Sequence, residues 1–139
     1  MKDLQAKTYD VLLVPTTAAT TARTANLDCQ GAHNATILVT IGAEANTNST
    51  NVAIQLSESD TTVVTTFATF NAAFNRTVDN TGAVVAVNHL DLNGRKRYVR
   101  LTLTPDTTTN GAVLTSAVAA LDKGFRDAKA SSGDDVVVG

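Results

Sequence analysis

Cysteine is almost missing from this chain: Cys29 stands alone among 139 residues. No intrachain disulfide can form, so stability has to come from a packed core and from association. Tryptophan is absent and aromatics make up only 4%. The core must therefore be built from Val, Leu, Ile and Ala, within an apolar fraction of 43%. The only histidines, His33 and His89, lie far apart in sequence. Cys29 and His33 have a spacing that could share a metal, but two ligands do not make a site. A turn histidine and a buried thiol are expected instead, with no metal and no cofactor. Charged residues are sparse at 17% and the net charge is −2. With a pI near 5.5, the chain lacks the strongly basic footprint of a general nucleic-acid binder. Long apolar runs are lacking too. Residues 11–14 are bracketed by Asp10 and Pro15, too short for a membrane span or the apolar part of a signal peptide. A soluble protein with no secretion address is expected. Nucleophile elbows of the Gly-x-Ser-x-Gly kind and glycine-rich phosphate loops are likewise missing, so no enzymatic activity is expected.

What the chain does contain is strand signal. Helical periodicity over ten or more positions is missing before the last quarter, while short strand-like runs recur at the spacing of a sandwich or barrel. Strands are predicted near 10–14, 24–29, 35–41, 51–57, 63–70, 84–88, 96–104 and 112–121. Ile37, Val39 and Ile41 share one face of their strand, and Val52, Ile54 and Leu56 share one face of the next. The run 63–70 puts Phe67 and Phe70 on opposite faces, which a bulge would reconcile. Residues 113–121 are alanine-rich, which favours helix, but Val113, Thr115 and Val118 favour strand, and strand is the reading adopted. The expected organisation is an N-terminal segment 1–23 with a short strand or arm, a β-sandwich 24–121 and a C-terminal extension 122–139.

The most informative stretch is 93–105. Asn93-Gly94 supplies the left-handed conformations of a tight hairpin turn, so a strand should begin directly after it. Val99, Leu101 and Leu103 alternate with Tyr98, Arg100, Thr102 and Thr104. Pro105 should then end the ladder, having no N–H to donate. Arg95, Lys96, Arg97 and Arg100 are four of the eleven basic residues. They read either as a charged edge that resists aggregation or as a contact for an acidic protein surface or another subunit. Glu58 and Asp60 alternate as in a calcium loop, but no Gly or bidentate Glu follows at the required offsets. A turn with side chains bonded to the backbone is expected there.

Three pieces, taken in order, resemble a known group. Leu27-Asp28-Cys29-Gln30-Gly31-Ala32, leading into 36–41 and Gly42-Ala43, is similar to the Asp-x-Gln-Gly entry of small phage head proteins. Segment 52–60, with Gln55-Leu56-Ser57-Glu58-Ser59-Asp60, resembles a hairpin of the same group. Segment 94–104, with Arg97-Tyr98-Val99-Arg100-Leu101, resembles its most recognisable strand. The likeness covers roughly 27–121. It departs from the pattern at Thr61, where a second Asp is usual, and in a C-terminus that is not rich in Pro and His. The group is the capsid decoration (cement) and head-associated proteins of tailed bacteriophages.

That resemblance implies an all-β fold, a jelly-roll β-sandwich of about eight strands in two antiparallel sheets. It implies a structural protein on the outer capsid surface of the virion, made in the bacterial cytoplasm, clamping neighbouring copies of the major capsid protein. A homo-oligomer is expected, a trimer before a dimer, with no direct nucleic-acid or membrane partner. Arg95, Lys96, Arg97 and Arg100 are the expected contact residues, joined by Phe125 and Arg126 in the C-terminal extension, with both termini acting as arms. The alternatives are a phage tail or fibre module binding a host glycan and a bacterial surface adhesin. Glycan binding would want exposed aromatics, for which Tyr9 and Tyr98 are the candidates.

Overall fold

Buried and exposed side chains alternate along most segments, and the described residues form nine strands. The computed structural model describes residues 7–18, 21–43, 49–71, 73–106 and 113–122. The strands are β1 (Lys7–Ala18), β2 (Arg23–Asp28), β3 (Asn34–Ile41), β4 (Thr50–Ser59), β5 (Ala68–Thr69), β6 (Phe74–Val78), β7 (Val84–Asp91), β8 (Tyr98–Asp106) and β9 (Val113–Asp122). They form two sheets, ordered β1-β9-β3-β7 and β2-β8-β4-β5, with β6 also pairing β4. Every pairing is antiparallel. β5 and β6 both pair the same side of the sheet from β4, as two halves of one interrupted strand. Counting them as one gives orders 1-8-3-6 and 2-7-4-5, the interleaving of a jelly roll. Phe125 and Arg126 lie outside the described residues, as do 1–6 and 123–139. Among the described residues no helix is long and apolar enough to cross a membrane.

The core is aliphatic, as the shortage of aromatics requires. Ile37, Val39, Ile41, Val113, Ala117 and Ala119 of the first sheet face Leu27, Val52, Ile54, Leu56, Val99, Leu101 and Leu103 of the second, all at most 1% exposed. Residues 113–122 form a central strand, with Ala117 and Ala119 turned inward, not a helix.

Several predicted boundaries are corrected. Residues 63–70 form a 3₁₀ turn, Val64–Thr66, followed by the two-residue β5, not one bulged strand. Hydroxyls compete with the ladder here: Thr66 Oγ1 donates to the Val63 carbonyl (2.7 Å) and hydrogen-bonds Ser59 Oγ (2.6 Å) and Thr61 Oγ1 (2.9 Å). β6 escaped prediction because only Val78 of its five residues is buried. Between β5 and β6 the ladder is replaced by a side chain, as the Leu56 amide donates to Asn71 Oδ1 (3.0 Å).

Asn93-Gly94 does make a turn, with the Arg95 amide donating to the Leu92 carbonyl (3.0 Å) and Gly94 at φ +74°. It is not a hairpin turn. It carries the chain from β7 in one sheet to β8 in the other, and β8 starts only at Tyr98. Pro105 does not end the ladder either: it pairs with Val52, and Asp106 follows opposite Asn51. β2 stops at the Arg23–Leu103 pair, so beyond it that side of β8 asks for no donor. Pro15, by contrast, lies where β1 loses regular register between Leu13 and Thr16. Arg23 reaches across from the other sheet to this irregularity. Its guanidinium donates to the carbonyls of Val14 (2.8 Å), Thr16 (3.3 Å) and Thr115, and to Thr115 Oγ1 (2.8 Å).

Candidate functional site

The basic strand is paired from within. Arg97 makes a two-point contact with Asp28, Nε to Oδ1 at 3.0 Å and Nη2 to Oδ2 at 2.7 Å, and the carboxylate holds the guanidinium in its charged form. Arg95 lies 3.6 Å from Glu58 and Lys96 lies 3.3 Å from Asp60. Arg100 donates to Asn26 Oδ1 (2.9 Å) and lies over the Phe67 ring, 3.8 Å from its centroid. Arg95 lies over Phe70 in the same way at 4.3 Å. Cation–π contacts thus hold Phe67 against Arg100 of β8 and Phe70 against Arg95, while ion pairs tie Glu58 and Asp60 to Arg95 and Lys96 just before β8. The alternating acids Glu58 and Asp60 serve as partners for these bases. Of the predicted contact residues, the structure brings Arg95, Lys96, Arg97 and Arg100 together at one rim and gives each a partner inside the chain.

A second surface was not anticipated. Outward residues of the first sheet align in register across all four strands: Val11 opposes Val118, Val118 opposes Leu38, and Leu38 opposes Val87. Their exposures are 61%, 39%, 40% and 49%. Tyr9, Ala120, Thr36 and His89 form the next row, and Ser116, Thr40 and Val85 the row on the other side. Leu114 is exposed beyond it. Charge returns only in the end row, where Lys7 and Asn34 oppose Asp122 and Asn34 opposes Asp91. Asp10, between Tyr9 and Val11, belongs to the opposite face of β1. The sequence signal was present: valine and leucine recur on the outward phase of these strands as well as on the inward one.

A third feature is an open cleft of about 470 Å³ at the side of the sandwich, where β5 and β6 part. Leu56, Phe70 and Asn71 line one wall, Val87 to Asp91 of β7 the other, and Arg95 completes it. Asn88 faces inward on the edge strand, 9% exposed, and its Nδ2 has no hydrogen-bond partner. His89 Nδ1 lies 3.1 Å from Thr36 Oγ1 on the outer face.

Cys29 is buried near the end of β2, with Sγ 3.7 Å from the Leu27 carbonyl. Burial, aided by the charge of Asp28 and opposed by a bond from the Val99 backbone, pushes its pKa from about 9 up to about 11. At pH 8 that shift lowers the reactive thiolate population about 100-fold. Native protein should therefore react with a thiol reagent at least about 100-fold more slowly than protein in urea. The raised value favours the neutral thiol in the fold, so its contribution to stability is intact below pH 9 and is lost as pH rises toward 11. A native rate matching that in urea would refute this burial. Among the described residues no three His, Cys, Asp or Glu side chains converge as metal ligands would.

The chain matches no protein-family model and no curated protein sequence. Among solved structures it is similar to the enzymatically active domain of tailspike protein 4 of bacteriophage CBA120. Identity is 11% and the TM-score 0.46, over 86% of this chain and 20% of that one. The chain thus spans about a fifth of that protein's length.

Proposed function

We propose that this chain is a structural virion protein that decorates a bacteriophage capsid and stabilises it by clamping adjacent major capsid subunits. The observation that carries the reading is the uncharged, apolar outer face of the first sheet. An exposed apolar patch that runs across all four strands of a sheet marks a protein contact. The resemblance of 27–121 to phage head proteins supplies the partner, and a rigid two-sheet body suits a protein whose work is shape and not chemistry. In this reading the protein sits on the outer capsid surface as a homo-oligomer, a trimer before a dimer, and is non-catalytic.

The face is a better grip than the basic strand. Contact through Arg95, Lys96, Arg97 or Arg100 would have to break internal pairs, whereas among the described residues no strand lies over Val11, Val118, Leu38 and Val87. Burying apolar area contributes about 25 cal/mol per Å² before the costs of association. Repetition over a shell multiplies each modest contact. Because the protein binds the closed joint and not the opened one, it raises the work of opening.

The test uses purified phage heads stripped of this protein and then resaturated with it. Co-sedimentation and a rise in the temperature of genome release are expected. If the protein never sediments with heads, or saturated heads release DNA at the same temperature as stripped ones, the reading fails.

A further inference from the structure

We propose that the side cleft between the sheets binds one neutral, hydroxyl-rich ring, a single sugar or polyol unit, anchored by the buried amide of Asn88. A polar side chain pointing inward on a sandwich strand is normally satisfied, because an unpaired buried donor is costly. Asn88 Nδ2 is buried and unpaired in a position opposite Ile37 that an aliphatic residue would fill. It is also one of the residues lining the cleft; its Nδ2 is covered while the cleft is empty, so an acceptor atom seated there meets it once the amide turns outward.

The lining narrows the ligand class. Arg95 and Asp91, the two charged residues of the lining, carry opposite charges, so the lining itself is neutral, and Glu58, 3.6 Å from Arg95, adds a negative charge beside it. Asn88 and Arg95 donate. Asp91 only accepts, and its Oδ1 already takes bonds from the backbone and side-chain nitrogens of Asn93 at 3.0 and 2.7 Å. A hydroxyl both accepts and donates, and so serves both kinds of group. A carboxylate would meet Asp91 and Glu58 as like charges, and an amine would offer Asn88 no acceptor. Phe70, Leu56 and Leu90 supply the apolar side that the C–H face of a ring requires. The volume, about 470 Å³, falls in the range of small-ligand sites and leaves room for one ring. Arg95 is held by its ion pair to Glu58 and by the face of Phe70, contacts that a ligand reaching its guanidinium has to displace.

The experiment is a titration of the isotope-labelled full chain with glucose, galactose and N-acetylglucosamine, and separately with oligomers of each. It reads the Asn88 side-chain amide and the backbone amides of 87–91. Saturable shifts in the millimolar range are expected for at least one sugar, as suits a ligand of this size. Tighter binding of an oligomer than of its monomer would identify a glycan chain as the source, and equal binding a free sugar. Asn88→Leu should reduce binding at least about 10-fold while raising the melting temperature by about 2–4 °C, since the unpaired amide is gone. Phe70→Leu, on the outer wall, should also weaken binding and guards against a folding defect in the first variant. No saturable shift with any sugar, or identical shifts in the wild type and both variants, would overturn the proposal.

Discussion

Leu101→Ala will lower stability by about 3–5 kcal/mol, read as a fall in the urea midpoint with an unchanged slope. Leu101 is 1% exposed and lies opposite Leu56 on β4 and Ala25 on β2. The methyl groups removed leave a cavity that cannot easily collapse. β8 is laddered on both sides along this stretch, and the facing sheet is held by its own central pair, β9 and β3. Without a disulfide, nothing covalent limits the unfolded chain, so the whole loss appears in the equilibrium. Leu114→Ala makes the contrast, since Leu114 is exposed and its truncation should cost under about 0.5 kcal/mol. A loss below about 1 kcal/mol for Leu101→Ala would mean that the aliphatic layer does not carry the fold.

Period-two patterning made the core readable. Ile37, Val39 and Ile41, or Val52, Ile54 and Leu56, are buried because a strand has only two faces and one is covered. Three features resisted for separate physical reasons. Segment 63–70 has the composition of a strand, but its threonine hydroxyls bond locally and the basic strand needs its phenylalanines as lids. The 93–94 turn is locally the same whether it joins strands of one sheet or two, so its role depended on topology that no local residue encodes. The bridging by Arg23 depended on a register break at Pro15 in another sheet, ninety-two positions from its Thr115 partner. The candidate surfaces divide the same way. The basic cluster was obvious in sequence because its residues all fall between 95 and 100, yet its partners come from distant segments, Asp28 from β2, Glu58 from β4 and Asp60 from just beyond it. The apolar face was less visible because each strand contributes one or two residues, and only the register assembles Val11, Val118, Leu38 and Val87 into a row.

Leu38→Glu should separate folding from attachment. Leu38 lies mid-sheet on the outer face, between Val118 and Val87. It is 40% exposed in the isolated chain, so a carboxylate there stays solvated and stability should change by less than about 1 kcal/mol. In a docked state the same carboxylate would lose water against apolar atoms with no lysine or arginine in its own row or the rows beside it, since charge returns only at Lys7 and the acids of the end row. Desolvating an unpaired charge costs several kcal/mol, so attachment to capsids should weaken at least about 100-fold per copy. Avidity makes the loss steeper still on a shell, where every copy carries the change. Arg97→Ala is the opposing arm. It breaks the contact with Asp28 and should leave attachment within a few-fold, with its small effect on folding fading as salt is raised. Normal binding by Leu38→Glu together with loss of binding by Arg97→Ala would transfer the docking role from the apolar face to the basic rim.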